Sequence, residues 1–586
     1  MCHSAELSQH PTNRRDQCDA RGIVLIIVLV VTVLLALAAY GMVATVQSDL
    51  QAARTTANQI QLQHTLESGQ LLVTSWLELP RALRYGDSNA ELSRSMEIDW
   101  RRIPITWTEN TTASEIGHLS IAKSFDELQQ IFSQDTSLGA ATVDTPSSAN
   151  AAPLASQAMF LDGAVPFTNE SAKLHLRTLR EWDRRFPGAG RMALMKFPGM
   201  TEQIADAILD WIDEDDNPRE FGAEQSYYSG AGTMNLPRND IPPQLDELLF
   251  VRDVTPQLLF GAASQPGSTA ASSTSDLNSV PEPSLSANAN SLAGTLGEPI
   301  AGAGWSTFLT VWSAERNETW TGEPRININN DNLGELYQQL SDRLSTQLAN
   351  YIVALRQFGP PKAIDESQGN ASFAAVPDAP PDLTRPARYQ LKSLVELFDT
   401  TIQLGEPDDD DNEDRLTMQS PLRRTLGDAS SEYAPWLDAI TLRAEPRLEG
   451  LVNLMDAPPE VLAGIPEMDE TLLSWIVAQR ETGDVRENLY WFWSTNVAPR
   501  AKIEAVGEWI TTGGDVVALS IRATHAAAGM SRQASLVLDV SGPVPRRLAF
   551  GEWWLATATE ATLPASDKSA DRSTSPDSQP TAVFPQ

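Results

Sequence analysis

Residues 22–46 read GIVLIIVLVVTVLLALAAYGMVATV, a run without one charged side chain. At a rise of about 1.5 Å per residue, a helix of this length crosses the roughly 30 Å hydrocarbon core of a bilayer. Arg14, Arg15 and Arg21 lie ahead of it and Gln47, Ser48 and Asp49 behind it. That asymmetry keeps the basic end cytoplasmic and sends the rest of the chain outward. A cleavable signal peptide is the competing reading, with Ala36 to Ala39 as its small residues, but the apolar run is longer than a usual signal core and no polar stop follows. Instead the sequence continues as SDLQAARTTANQIQLQHTLESGQLLVTSWL (48–77), with Leu50, Ala53, Ala57, Ile60, Leu71 and Trp76 among polar neighbours. Nothing breaks this pattern before Pro80, so the exposed half of one long helix is expected.

The whole chain has 586 residues, 41% of them hydrophobic, which excludes disorder throughout. Asp and Glu number 77 against 43 Lys and Arg, for a net charge of -34, so phosphate backbones are repelled and a nucleic-acid partner is not expected. Both cysteines, Cys2 and Cys18, precede the apolar segment, which leaves no disulfide scaffold and no thiolate zinc site beyond it. After the leader only His64, His118, His175 and His525 remain, scattered singly, and no serine stands in a Gly-x-Ser-x-Gly setting. An enzyme is therefore not expected.

Alternating stretches within 95–123 (IPITW, HLSIA) suit short strands, and VVALSIRATHA and RQASLVLDVSG after residue 500 read as a β-hairpin. Between them a pattern recurs: KLHL (173–176) before ADAILDWID (205–213), RININ (325–329) before LANYIVALR (348–356), and LVNLM (451–455) before LLSWIVAQR (472–480). These are three expected helix-hairpin-helix-like units, with Asp456 expected to cap the helix of the third. Such units hold DNA phosphates where the hairpin is glycine-rich. Here FPGMT (197–201) keeps only Gly199, and IPEMD (465–469) places Glu467 and Asp469 where a phosphate would lie, so protein packing is the better reading. The expected organisation is an α+β chain divided as 1–22 leader, 23–46 membrane helix, 47–178 helical spine and strands, 179–261 helical domain, 262–300 linker, 301–358 helical repeat unit, 359–431 low-complexity linker, 432–499 third helical unit, 500–556 closing strands, and 557–586 disordered tail.

The densest chemistry lies in DWIDEDDNPREFGAEQSYY (210–228). Asp213, Asp215 and Asn217 alternate, and Glu224 follows eleven residues after Asp213, the oxygen-ligand spacing of a calcium-binding EF-hand loop. Pro218 stands where that loop needs glycine, and Gly222 with Tyr227-Tyr228 suggests a loop in place of the second helix. The expectation is Ca2+ on Asp213, Asp215, Asn217 and Glu224 in another geometry; the competing reading is a solvated acidic helix end.

The basic leader ending in Arg21-Gly22, followed by the apolar helix, resembles the start of type IV pilin-like proteins. The stretches AKLHL, ADAILDWIDEDDNPREFGAEQSYY, LDELLFVRDVTPQLLFG (173–261) and GLVNLMDAPPEVLAGIPEMD (450–469) resemble the K-type minor pseudopilin of type II secretion systems. The likeness implies a pilin-like scaffold with a large helical insertion, bound calcium, and cleavage by a prepilin peptidase between Gly22 and Ile23. It further implies an inner-membrane anchor with a periplasmic head, and partners in other minor pseudopilins and the inner-membrane secretion platform. Most pilin-like proteins carry Glu at the fifth mature position; here it is Ile27, which fits a tip subunit with nothing above it. The long Ser-rich and acidic insertions depart from the family. A bitopic scaffold or adhesion protein, using its helical units to bind other proteins, is the alternative.

Overall fold

A computed structural model describes residues 19–85, 98–107, 115–124, 127–128, 166–230, 235–261, 303–360, 373–374, 381–404, 416–424, 430–480, 485–525 and 528–556. Asp19–Leu77 is one helix of 59 residues, about 90 Å long at the usual rise. Its first half is bare: Leu25 through Val46 are exposed, and among the described residues this is the one helix long and apolar enough to cross a membrane. Its second half changes character at Leu62. Leu62, Leu66, Val73 and Leu77 recur at helical spacing and are buried, forming with Trp76 a stripe that lies on a sheet. Gly69 sits where helix and sheet come closest, since a Cβ there would meet Leu119 at 2.8 Å.

That sheet is antiparallel, in the order Ile103–Trp107, Glu115–Ala122, Val516–His525, Met530–Asp539, Arg546–Ala556, with Thr168–Asn169 pairing beside Val517 and Ala518. Leu119, Ile121, Val517, Leu519, Ile521, Leu536 and Leu538 supply its face toward the spine helix. Strands from the two ends of the chain are neighbours, Ile121 opposite Ile521, so everything between Asn169 and Val516 is an excursion that leaves beside the start of the strand Val516–His525 and returns to it. The fold is thus mixed helix and sheet, and the IPITW, HLSIA and closing-hairpin segments are strands as expected.

The excursion is built from three units, each opened and closed by a two-residue parallel bridge. Leu174–His175 pairs with Leu309–Thr310, Ile326–Asn327 with Ile440–Thr441, and Val452–Asn453 with Ile510–Thr511. The second residue of every opening bridge turns the chain by accepting the N–H two residues on: His175 Nδ1 from Arg177 at 2.9 Å, Asn327 Oδ1 from Asn329 at 3.0 Å, Asn453 Oδ1 from Met455 at 2.7 Å. Every closing bridge ends in threonine, whose Oγ1 accepts from Trp312, Arg443 or Gly513 at 3.0–3.2 Å. The junctions pair as well, Ala314–Arg316 running antiparallel to Arg447–Glu449. One continuous core, with Trp182, Trp211, Trp305, Tyr351 and Phe492 among its largest members, joins all three units.

Two details differ from the sequence reading. Asp456 is not a cap: the helix Pro459–Leu462 has Pro458 at its N-cap with no side-chain bond, while Asp456 holds Arg486 at 2.9 Å and Asn169 at 3.2 Å. The described parts of 359–431 are folded, with Leu391, Val395, Leu397, Phe398, Ile402, Met418 and Leu422 buried in the core. There Thr401–Leu404 pairs antiparallel with Leu416–Gln419, each strand only four residues long. The leader through residue 18, the linker 262–300, the acidic run 408–414 and the tail 557–586 lie outside the described residues.

Candidate functional site

In the first unit the hairpin between Ala189–Leu194 and Glu202–Ile212 turns at Gly199, whose φ of 70° lies in the left-handed region that favours glycine. Thr201 then caps the second helix, its side chain accepting from the Ile204 N–H. The corresponding hairpin of the third unit turns at Glu467, φ 64°, and starts its helix at Asp469, which accepts from Leu472 at 2.9 Å. Helix Glu202–Ile212 is buried along most of its length, and two of its carboxylates, Asp206 and Asp210, have no exposed surface. A buried carboxylate must be paired, and the two find different solutions. Asp206 takes Arg191 in a two-pronged bond, 2.6 and 2.5 Å, plus the Phe221 N–H at 3.1 Å.

Asp210 instead faces the acidic loop. Residue Asp213 ends the helix, its N–H donating to Leu209, and lies one turn from Asp210 on the same face. The loop returns so that Glu224 joins them: one oxygen from each of Asp210, Asp213 and Glu224 lies within 4.8 Å of the others. Gly222 makes that return possible, because any Cβ there would lie 1.8 Å from the Asp210 carboxylate. The guanidinium of Arg219 answers part of the charge, donating to Asp210 at 2.6 Å, to Asp213, and to Asp183 at 3.0 Å. Glu224 receives nothing comparable. Its side chain belongs to a residue only 1% exposed, and neither of its oxygens, nor Asp213 Oδ1, meets a hydrogen-bond donor of good geometry.

The electrostatics follow from this arrangement. Burial, reinforced by Asp210 and Asp213, pushes the Glu224 carboxyl up to about 7. Burial also raises Asp210 and Asp213, against the opposing pull of Arg219. Asp215 and Asn217 are exposed. Asp215 accepts both the backbone N–H and the side-chain amide of Asn217 at 2.8 Å, which lowers its carboxyl. Tyr227-Tyr228 is not in a loop, since Gln225–Gly230 is a short helix. Tyr228 is buried against Trp211, ring centroids 5.4 Å apart, and its hydroxyl accepts from the Arg252 N–H at 3.0 Å. Arg252 in turn donates to the carbonyls of Phe221 and Gly222, fixing the loop from outside.

Of the four expected ligands, then, Asp213 and Glu224 come together, whereas Asp215 is not in that group and, with Asn217 bonded to it, is exposed. The third member is Asp210, which was not among the expected ligands. Its i, i+3 spacing from Asp213 was the available signal, because that spacing puts both carboxylates on one helix face. Three hard oxygen donors with one of them uncompensated suit a hard divalent cation.

Residues 190–261, which contain the hairpin and the acidic loop, match the family model described as Type II secretion system (T2SS), protein K. Over this segment the chain is protein K-like. No curated protein and no solved structure matches it.

Proposed function

We propose that the chain is a minor pseudopilin that serves, without catalysing a reaction, at the tip of the pseudopilus of a type II secretion system. The observation that carries this reading is the protein K match at 190–261 within a chain whose N-terminal helix is long, apolar and bare. On this reading the inner membrane holds residues 23–46, and the filament later holds the same helix among those of other minor pseudopilins. The spine helix, the sheet behind it and the three-unit excursion form a periplasmic head on a pilin-like scaffold, and Ile27 leaves no acidic partner for a subunit above. The prepilin peptidase and the inner-membrane platform are the remaining partners. Gly22→Asp is expected to leave the leader attached, read as the intact mass of the chain purified from its membrane. Maturation of the substituted chain to the wild-type mass would remove the pilin reading and leave the bitopic scaffold.

The same head is proposed to take Ca2+ on Asp210, Asp213 and Glu224, with Asp215 and Asn217 outside the ligand set. Glu224 supports the fit, since its buried carboxylate meets no hydrogen-bond donor of good geometry and a cation would supply the missing charge. The ion's chemistry here is structural: it neutralises carboxylates that otherwise repel one another. The purified chain is expected to melt at a higher temperature in millimolar calcium than in chelator, with magnesium a weak substitute because it demands stricter octahedral geometry. Glu224→Gln should abolish most of that difference, whereas Asp215→Asn should leave it intact. The reverse pattern would return the site to the alternating residues.

A further inference from the structure

We infer that Arg219 is a built-in competitor for the cation, a side chain that occupies the carboxylates Asp210 and Asp213 and must swing off them before a divalent ion can bind. This rests on the proposed ion site and concerns what sets its affinity. Three observations carry it. The guanidinium bonds Asp210 and Asp213 through one nitrogen, Nη1, and Asp183 through another, Nη2. Asp183 is firmly placed, because its other oxygen accepts the N–H groups of Gly188 and Gly190, both at 3.1 Å. The Nη2 contact can therefore act as a pivot for a side chain that is 24% exposed.

The second, independent sign of a ligand is Glu224. Its carboxylate is buried and aimed into the cluster, and even with Arg219 in place it meets no donor of good geometry, the adjacent Gln225 N–H being the one backbone group that lowers its carboxyl. The guanidinium bonds one oxygen each of Asp210 and Asp213 and none of Glu224, so the cluster stays under-neutralised. A divalent ion between all three would bring more charge to the same point, but the guanidinium and the ion cannot share the inner oxygens of Asp210 and Asp213. The apparent affinity is then reduced by the fraction of molecules in which Arg219 has swung away. Without Arg219 that penalty disappears. Without Asp183 the displaced guanidinium has no anchor, so the swung-out state is less favourable and calcium binds more weakly.

Isothermal titration of the full chain in detergent with calcium chloride at pH 8 tests this. Arg219→Gln is expected to tighten calcium binding about tenfold or more, and Arg219→Lys, whose single ammonium cannot hold the Asp210–Asp213 pair and Asp183 at once, to fall between it and the wild type. Asp183→Asn should weaken binding in the wild-type background and have no effect in the Arg219→Gln background, a coupling that a merely structural role for either residue would not produce. Calcium binding of unchanged or lower affinity in both Arg219 variants would overturn the competitor and leave the ion site standing. Absence of calcium binding in the wild type and in both variants would overturn the ion site and the competitor together.

Discussion

Asp515→Asn is expected to destabilise the folded chain by about 3–5 kcal/mol, the usual cost of leaving buried charges without their partner. Asp515 has no exposed surface and sits one residue before the strand Val516–His525. It accepts from Arg84 at 2.7 Å, from Arg81 at 3.3 Å, from the Arg316 N–H at 2.8 Å and from the Arg316 guanidinium at 3.4 Å. Burial alone would raise its carboxyl, but Arg81, Arg84 and Arg316 together hold it well below the usual carboxylate range. Glu315 completes the knot, bonding Arg81 at 3.1 Å and Thr511 at 2.8 Å. Three parts of the fold meet here: the short helix Arg81–Tyr85 that follows the spine, the Ala314–Arg316 junction between units, and the start of the central strand. An amide keeps the shape and removes the charge, which leaves three guanidinium groups around one carboxylate. Urea unfolding of the chain in detergent measures the loss, and a change below about 1 kcal/mol would mean that water already screens the knot.

Much of this architecture can be read from residues whose signal is long or repeated. The spine helix is continuous because no proline or turn signal interrupts it before Pro80, and the hairpin at 516–539 alternates over ten residues on each side. The opening bridges are visible in KLHL, RININ and LVNLM, since each places an apolar residue before a side chain that can turn the chain. Their closing halves are hidden: Leu309–Thr310 lies more than a hundred residues from Leu174, and a two-residue bridge has no periodicity to detect. The same limit hides Thr401–Leu404 and Leu416–Gln419, four-residue strands embedded in proline-rich and acidic sequence.

At the site the acidic block is legible but its internal geometry is not. The alternation of Asp213, Asp215 and Asn217 is a ligand spacing, yet the same alternation lets Asp215 accept the Asn217 N–H in a local turn, and the turn is what forms. What selects Asp210 is tertiary: the close approach of Gly222 and the return of Glu224, which bring together residues fourteen positions apart in the chain.

His175→Asn is expected to cost a little stability at neutral pH and to make the chain the more stable of the two in acid. His175 is buried and stands where the second and third units carry Asn327 and Asn453. All three accept an N–H two residues on, so asparagine preserves the turn that opens the unit. Burial, aided by the neighbouring charge of Arg177, lowers the imidazole to about 4 despite a hydrogen bond to the Val311 backbone. A folded-state value below the unfolded one of 6.5 means that the ring's contribution is complete above pH 6.5 and lost as pH falls toward 4. The loss amounts to about 2 kcal/mol by pH 5 and about 3 kcal/mol by pH 4. Asparagine gives up the bond to Val311, about 1 kcal/mol at pH 7.5, but it has no proton to gain. The two stability curves, measured by urea unfolding between pH 7.5 and 4.5, should therefore cross, and the difference between them cancels every other titrating group the two chains share. Parallel curves would show that the folded chain accepts a proton on His175 as readily as the unfolded chain does, and that the buried ring is not the source of acid sensitivity in the first unit.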